Sequence, residues 1–426
     1  MSTLVMDHPG SLTESEWLEH PEGGPPLKLT IVLPALNEED AIGGTIQRCL
    51  DAREAILRET PVTDVEIVVV SDGSTDRTVE IARQFEGQGV EVIVFKKNRG
   101  YGAAIKAGWR HSNGDLLAFL DADGTCDPRY FIDMCNAAIR DGADVVLGSR
   151  MGPDSKMPKL RRIGNRVFAA MLGLLSRKSV SDSASGMRVV RRESLPRLLP
   201  LPNGLAFTPA MSARTLMDHN LVIREIPMGY EERIGRSKLS VIKDGLRFAR
   251  EILSAAVYVR PSRVTLPIVA LMAATALAMS AFPVKFYLAN GFLPEWLIYR
   301  FLTVLLLGVA GAIALSATVV AEHMIALSQL GYEQFLSQNG SWWGRRALRL
   351  YWYTGLAFVA LALVLVWPGM VSYVQTRTIP AATLHWSRVV VAMFFAITFL
   401  QMIATACILR IVPAMHDRQQ FLVGRQ

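Results

Sequence analysis

The hydrophobic pattern divides the chain into two unlike halves. From residue 28 to about 150, short apolar runs alternate with longer mixed segments. The runs are Leu29–Pro34, Glu66–Ser71, Val90–Phe95, Leu116–Leu120 and Ala143–Gly148, each ending near Asn, Asp, Ser or Gly. Continuous Val, Leu and Ile of this length is the pattern of strands buried on both faces. Between them, Asn37-Glu-Glu-Asp40 gives an acidic first turn to a helix through Leu50. Asp72-Gly-Ser-Thr-Asp76 turns the chain and caps a helix through Phe85, and Asn98-Arg-Gly-Tyr-Gly102 opens a helix ending near His111. Strands alternating with helices predict an α/β fold with a mostly parallel sheet. Ligands of such sheets bind beyond the carboxyl ends of the strands, where each of these polar clusters falls.

Beyond residue 260 the pattern changes. Val264–Phe282, Phe301–Ala321, Tyr351–Ser372 and Val389–Leu409 contain no Lys, Arg, Asp or Glu, and each is close to the roughly 20 residues needed to span a bilayer. Four transmembrane helices are expected. Arg345, Arg346 and Arg349 lie between the second and third, and Arg410, Arg418 and Arg425 follow the fourth. The positive-inside rule then places the middle loop, the C-terminus and the N-terminal half in the cytoplasm. Two stretches have helical apolar spacing beside cations: Ile163, Val167, Phe168, Met171, Leu174 and Leu175, and Ile242, Leu246, Ala249, Leu253 and Val257. These predict amphipathic helices in the headgroup plane. The expected domains are a disordered tail over 1–27 with no cleavable signal peptide, a catalytic domain over 28–239, a juxtamembrane helix over 240–262, a membrane domain over 263–412 and a tail over 413–426.

Composition adds little that the pattern has not said. The chain of 426 residues is 51% hydrophobic with a net charge of +7. Because the basic residues cluster near the expected membrane surface, anionic lipid is the expected partner and nucleic acid is not. Four cysteines without a Cys-x-x-Cys spacing suggest a reducing compartment, with neither zinc nor disulfides.

The most pointed chemistry is Asp121-Ala-Asp123, at the end of the run Leu116–Leu120. If the strand continues through them, alternation projects both carboxylates the same way. Two like charges about 5 Å apart repel by about 3 kcal/mol at an effective dielectric of about 20. A shared proton, full solvation or a divalent cation would relieve this, and oxygen ligands suit Mg²⁺ or Mn²⁺ holding a diphosphate.

The series Leu33-Pro-Ala-Leu-Asn-Glu-Glu39, Val70-Ser-Asp-Gly-Ser-Thr-Asp76, Asn98-Arg-Gly-Tyr-Gly-Ala-Ala104 and Leu120-Asp-Ala-Asp-Gly124 resembles the family-2 glycosyltransferases of the GT-A fold. Later residues narrow the resemblance to polyprenyl-phosphate glycosyltransferases, such as dolichyl-phosphate mannose and glucose synthases. They are Gly148-Ser-Arg150, Arg161-Arg162 with Asn165, Ser181-Asp-Ser-Ala-Ser-Gly-Met-Arg188, and Glu225-Ile-Pro to Arg233-Ile-Gly-Arg-Ser-Lys-Leu239. The resemblance implies that Pro34, Asn37, Glu38 and Asp72 hold the nucleoside and that Gly102 and Asp121 belong to the same donor site. It implies that Asp121 and Asp123 bind Mg²⁺ or Mn²⁺ on the donor diphosphate. Asp123, Arg150, Arg161, Asn165 and Arg188 would carry catalysis. Thr125 stands where mannose synthases often place a Gln metal ligand, which leaves the third protein ligand open.

The basic residues then acquire a role. Arg offers two-pronged hydrogen bonds to phosphate, so Arg150, Arg161, Arg162, Arg233 and Lys238 are candidates for the acceptor phosphate. A lipid phosphate is already anionic, and its attack on an anomeric carbon needs orientation and charge management more than a strong base. The expected reaction is inverting transfer of one hexose from GDP-mannose or UDP-glucose to a polyprenyl phosphate, by an integral membrane protein that could form homo-oligomers. The alternative is a processive synthase acting on a sugar hydroxyl. Those enzymes resemble one another in a Gln-x-x-Arg-Trp motif that this sequence lacks. A flippase or scaffold is disfavoured, because Gln401 is the main strong polar group inside the spans and a transport path needs more.

Overall fold

A computed structural model describes residues 27–423 apart from 154, 177, 219, 235–240, 331–344 and 381–383. Of the expected tail over 1–27, residues 1–26 lie outside the described residues, as does the candidate Lys238, whereas Leu27 is the first residue of a strand. The chain forms two compact units, Met1–Ala256 and Val257–Gln426.

The first unit runs β1 (Leu27–Ala35), α1 (Ile42–Glu59), β2 (Val62–Ser71), α2 (Thr78–Arg83), β3 (Val90–Val94), α3 (Tyr101–His111), β4 (Leu116–Leu120), α4 (Phe131–Arg140), β5 (Val145–Ser149), α5 (Lys159–Ser176), β6 (Met187–Arg191), α6 (Leu195–Leu198), α7 (Phe207–Met217) and β7 (Ile223–Pro227), and takes in most of α8 (Val241–Val259). The seven strands order as β3-β2-β1-β4-β6-β5-β7. β1 pairs in parallel with β2 and β4, β2 with β3, and β5 with β7. β6 alone runs antiparallel, between β4 and β5. The five strands expected from sequence are present. β6 and β7 were not foreseen as strands, because Met187-Arg-Val-Val-Arg191 and Ile223-Arg-Glu-Ile-Pro227 are interrupted by charge.

The sheet is buried on both faces, which accounts for the unbroken apolar runs. Leu29, Ile31 and Leu33 of β1, Ile67 and Val69 of β2, and Ala118 and Leu120 of β4 pack with Ile42, Ile46, Phe131 and Met134. The alternate residues Val32, Val68, Val70, Leu117 and Phe119 pack with Ile105, Trp109, Phe207 and Met211. Each strand therefore has about 25 cal/mol per Å² of apolar burial fixing its register on both sides. A slip of one residue would exchange the faces.

The second unit holds α9 (Pro261–Asn290), α10 (Ile298–Leu330), α11 (Arg345–Thr376) and α12 (Trp386–Val423). Among the described residues, four helices are long and apolar enough to cross a membrane, over Pro261–Asn290, Glu295–Ile325, Arg349–Thr376 and Trp386–Val412. They contain the four expected spans. Glu322 accepts a hydrogen bond from the Ser262 amide at 3.0 Å, satisfying an open donor at the start of α9.

Candidate active site

β1 lies between β2 and β4, so the chain reverses its winding direction there and leaves a crevice beyond the two strand ends. The loop after β1 supplies Asn37 and Glu38, and the turn after β4 supplies Asp121 and Asp123. The loops after β1 and β2 are joined into one rim. Asn37 accepts from the Thr75 amide at 2.8 Å and its own amide donates to Ser74 Oγ at 3.0 Å. The amides of Glu38 and Glu39 donate to Thr78 Oγ1 and Asp76 Oδ2. Asn37 takes a φ of 49°, a left-handed conformation that Asn tolerates better than most residues. Asp72, expected at the nucleoside, is buried and accepts from the Arg99 and Gly100 amides at 2.6 and 2.9 Å. Its carboxylate shapes the loop after β3.

The carboxylate pair is not on the strand. β4 ends at Leu120 and the chain turns through 121–124, so a turn, rather than alternation along a strand, brings the two acids together. Tyr101 Oη donates to Asp121 Oδ1 at 2.6 Å, and the Asp121 amide donates to Gly186 O at 3.1 Å. Asp123 Oδ1 accepts from Thr125 Oγ1 at 2.7 Å and from the Thr125 amide at 3.2 Å. Thr125 thus meets the ligand pair through a hydrogen bond. Burial, and after it the Asp123 charge, pushes the Asp121 carboxyl up to about 7. Burial and then Asp121 itself hold the Tyr101 phenol well above its ordinary value, so it remains a donor. Gly186 lies so close that a Cβ there would overlap the Asp121 carboxylate.

This donor set fits a divalent cation. Two hard oxygen ligands repel each other in a partly desolvated turn, and a cation between them removes the penalty. Among the described residues, no group of three or more His, Cys, Asp or Glu forms a metal site. The remaining positions of Mg²⁺ or Mn²⁺ would fall to diphosphate oxygens and water.

Arg233, assigned from sequence to the acceptor phosphate, sits instead against Glu38 and Asp123, two residues that the resemblance assigned to the donor and its cation. Its Nη2 donates to Glu38 Oε1 at 2.5 Å and its Nη1 lies 3.3 Å from Asp123 Oδ2. The guanidinium thereby links the loop after β1 to the turn after β4.

The other arginines differ in what holds them. Arg150 donates through Nε and Nη2 to Asp182 Oδ2 and Oδ1 at 2.7 and 2.9 Å, and its own amide donates to Oδ2 at 3.0 Å. Asp182 is fully buried. Burial opposes both charges, but each outweighs it for the other: the arginine is held above its ordinary value and the carboxylate below. Arg150 also lies over the Tyr230 ring at 5.5 Å. Asn165, a catalytic candidate, is buried in α5 and donates to Asp182 Oδ1 at 3.0 Å and to Ser181 O at 3.2 Å. Its place is behind Asp182. Arg188 on β6 is fully buried and donates to Ser183 O and Ser185 O, while burial lowers its guanidinium to about 10. Arg162 donates to Gly152 O and Ser155 O. Arg161 is partly exposed near the start of α5.

Pro34 is a buried β1 residue registered with Val70. Gly102 is buried where a Cβ would meet Pro202 O and the Phe207 ring, a packing reason for glycine at this point. Sequence reasoning singled out neither Tyr101, Asp182 nor Gly186. All three lie inside quoted motifs, but no periodicity marks them, and their roles depend on contacts between distant loops.

A model of glycosyl transferase family 2 matches residues 30–199. The low-salt glycan biosynthesis hexosyltransferase Agl6 of Haloferax volcanii is 32% identical over 229 residues, which cover 53% of each protein. The chain therefore spans about half the length of that relative. A dolichyl-phosphate hexose transferase of the same organism is 33% identical over 232 residues, 53% of this chain and 92% of the relative. A dolichyl-phosphate beta-glucosyltransferase of Trichomonas vaginalis is 27% identical over 54% of this chain and 71% of its own. Among solved structures, glucosyl-3-phosphoglycerate synthase from Mycobacterium tuberculosis, crystallised with Mn²⁺ and UDP-glucose, is 21% identical with a TM-score of 0.44, covering 58% of this chain and 86% of its own. The family match runs from β1 past α6 and so over the crevice loops and the Asp pair, and a third of positions are shared across nearly all of one relative: the chain belongs to glycosyl transferase family 2.

Proposed function

We propose that the protein transfers a single hexose from a nucleotide diphosphate sugar, GDP-mannose or UDP-glucose, to a polyprenyl phosphate at the cytoplasmic face of a membrane, with inversion at the anomeric carbon. The observation that carries this reading is the 33% identity over 92% of a protein named a dolichyl-phosphate hexose transferase. The identity and the site chemistry point the same way.

The rim of Asn37 and Glu38 would seat the nucleoside, and Asp121 and Asp123 would hold the diphosphate through Mg²⁺ or Mn²⁺. When bound, that cation would neutralise the diphosphate oxygens on which negative charge grows as the sugar leaves. An acceptor phosphate oxygen attacks the anomeric carbon from the face opposite the diphosphate. The new bond forms from carbon to that oxygen, the bond to the diphosphate oxygen breaks, and its electron pair stays on the nucleoside diphosphate. The attacking oxygen is anionic at neutral pH, so no side chain has to remove a proton. What the protein supplies is alignment and positive charge.

Arg161 and Arg162, at the start of α5, are assigned to the acceptor phosphate. Arg150 is charge-balanced by Asp182, so its contribution is shape: it fixes the floor between Tyr230 and the loop before β6. A lipid-borne acceptor also suits the outer face of α5, where Leu160, Ile163, Val167 and Leu174 are exposed at helical spacing, Leu174 by 83%. Arg166 is exposed beside them, and such a face suits anionic headgroups. α5 packs on α8 through Phe168 and Phe248, whose ring centroids lie 5.8 Å apart.

The test supplies labelled GDP-mannose or UDP-glucose, polyprenyl phosphate and Mn²⁺ to the purified protein. A glycolipid carrying one sugar, lost in Asp123→Asn, is expected. A polymeric product, or no glycolipid from either donor, overturns the reading.

A further inference from the structure

We infer that Arg233 is a built-in counter-ion that competes with the divalent cation for Asp123, so that free cation binds weakly and binds well only together with the diphosphate. This rests on the reading of Asp121 and Asp123 as cation ligands. It adds a coupling between cation and nucleotide, carried by one side chain of the protein.

The geometry is of a seat only partly filled. Glu38 and Asp123 come from opposite sides of the crevice, and one guanidinium spans them, at 2.5 Å to the first and 3.3 Å to the second. The Nε of Arg233 is buried and has no hydrogen-bond partner among the described residues. An arginine placed as structural glue would be expected to use that edge as well, as Arg150 does on Asp182. The side chain of Arg233 is also 20% exposed, against 12% for Arg150. Arg233 therefore keeps one unused donor while its guanidinium is still partly exposed.

The backbone beneath it is firmly held. The Glu231 amide donates to Thr125 O at 2.9 Å and the Ile234 amide to Asp123 O at 3.2 Å, so residues 231–234 run alongside the Asp turn. Ile234 packs near Gly124. The guanidinium can then change partners by side-chain rotation alone, while its anchor stays beside the cation ligands.

The charges give the exchange its direction. Without ligands, Glu38, Asp121 and Asp123 crowd the crevice and Arg233 partly neutralises them. A cation arriving alone must displace Arg233 from Asp123 and leave the guanidinium with one carboxylate. A cation arriving with a nucleoside diphosphate brings anionic oxygens that Arg233 can take in place of Asp123, with two-pronged geometry. Binding of either partner then strengthens binding of the other, and the coupling is the same in both directions.

The experiment is calorimetric titration of Mn²⁺ into the full-length protein in detergent, with and without UDP or GDP, for wild type, Arg233→Gln and Arg233→Lys. Without nucleotide, Arg233→Gln should bind Mn²⁺ about fivefold or more tighter than wild type, with Arg233→Lys in between. With nucleoside diphosphate the order should close or reverse, because the variant has lost the group that rewards joint binding. Damage to the fold would weaken Mn²⁺ binding, so a gain in affinity is a readout that a structural role cannot produce. If wild type binds Mn²⁺ with nucleotide but Arg233→Gln is no tighter without it, the counter-ion role is wrong and the cation site stands. If Mn²⁺ binds in none of these conditions, both fail. Tightening that persists in Asp123→Asn/Arg233→Gln would place the cation elsewhere and overturn the proposal.

Discussion

Asp182→Asn is the substitution whose consequence can be worked furthest. The carboxylate is fully buried and accepts from the Arg150 side chain and amide, Asn165 Nδ2 and the Ala184 amide. Asn is nearly the same size, so no cavity forms. What changes is charge, and the orientation of an amide that has one acceptor where two oxygens stood. Arg150, only 12% exposed, is left without its counter-ion. Breaking a buried pair on one side costs about 3–5 kcal/mol, because the remaining charge is stranded away from water. For a unit of this size each kcal/mol moves the midpoint by roughly 2–4 °C, so a fall of about 10 °C is expected.

The same chain supplies the control. Arg129 donates to Asp127 Oδ2 through Nε and Nη2, a contact as short as the buried one. Arg129 is 76% exposed, however, and water replaces what a substitution removes. Asp127→Asn keeps the oxygen that caps the turn at Pro128 and should leave the midpoint within about 2 °C. The assay is thermal unfolding in detergent of wild type, Asp182→Asn, Asp127→Asn and Arg150→Met/Asp182→Leu. The double variant should recover much of the loss, since it buries no lone charge. Equal midpoints for Asp182→Asn and Asp127→Asn would refute the reasoning, because burial would then not govern the cost of the pair.

Three further outcomes are expected. The Asp121 carboxyl holds its proton more tightly when folded, near 7, than at its ordinary value of 3.8. In cation-free protein it therefore adds stability that is complete below the unfolded pKa and lost as pH rises through about 7. The midpoint of wild type relative to Asp121→Asn should fall between pH 5 and pH 8, and parallel curves would show that Asp121 is not so perturbed. Gly186→Ala sets a methyl against the Asp121 carboxylate and should cut turnover by about a hundredfold through misplacement of the ligand pair; wild-type turnover would mean that the turn has room to move. Replacing Leu160, Ile163 and Val167 by Ser should raise the KM for a polyprenyl phosphate in anionic vesicles while leaving the KM for the donor unchanged, and a change confined to the donor would sink the assignment of that face to lipid.

What could be read before folding was whatever repeats or has local meaning. Buried parallel strands need apolar residues on both faces, so Leu29–Pro34 and Leu116–Leu120 announce themselves, as do four uncharged spans of bilayer length. The Asp pair was legible as chemistry because two neighbouring acids demand an explanation, but its geometry was misjudged. Leu120 ends β4, and a turn stabilised by Thr125 and by the Ile234 amide brings the carboxylates together. β6 was hidden for a physical reason. Its Arg188 and Arg191 find carbonyl acceptors, at Ser183, Ser185 and Ala138, so charge sits inside a sheet where a pattern based on hydropathy forbids it. That single antiparallel strand then decides most of what sequence could not supply. Inserted between β4 and β5, it carries Gly186 against Asp121 and brings Asp182 under Arg150. It thus joins the Asp121 turn to Arg150 across one hydrogen-bonded element. The motif from Ser181 to Arg188 is better understood as a support shared by Asp121 and Arg150, which is why substitutions there should show first in the positions of those two residues.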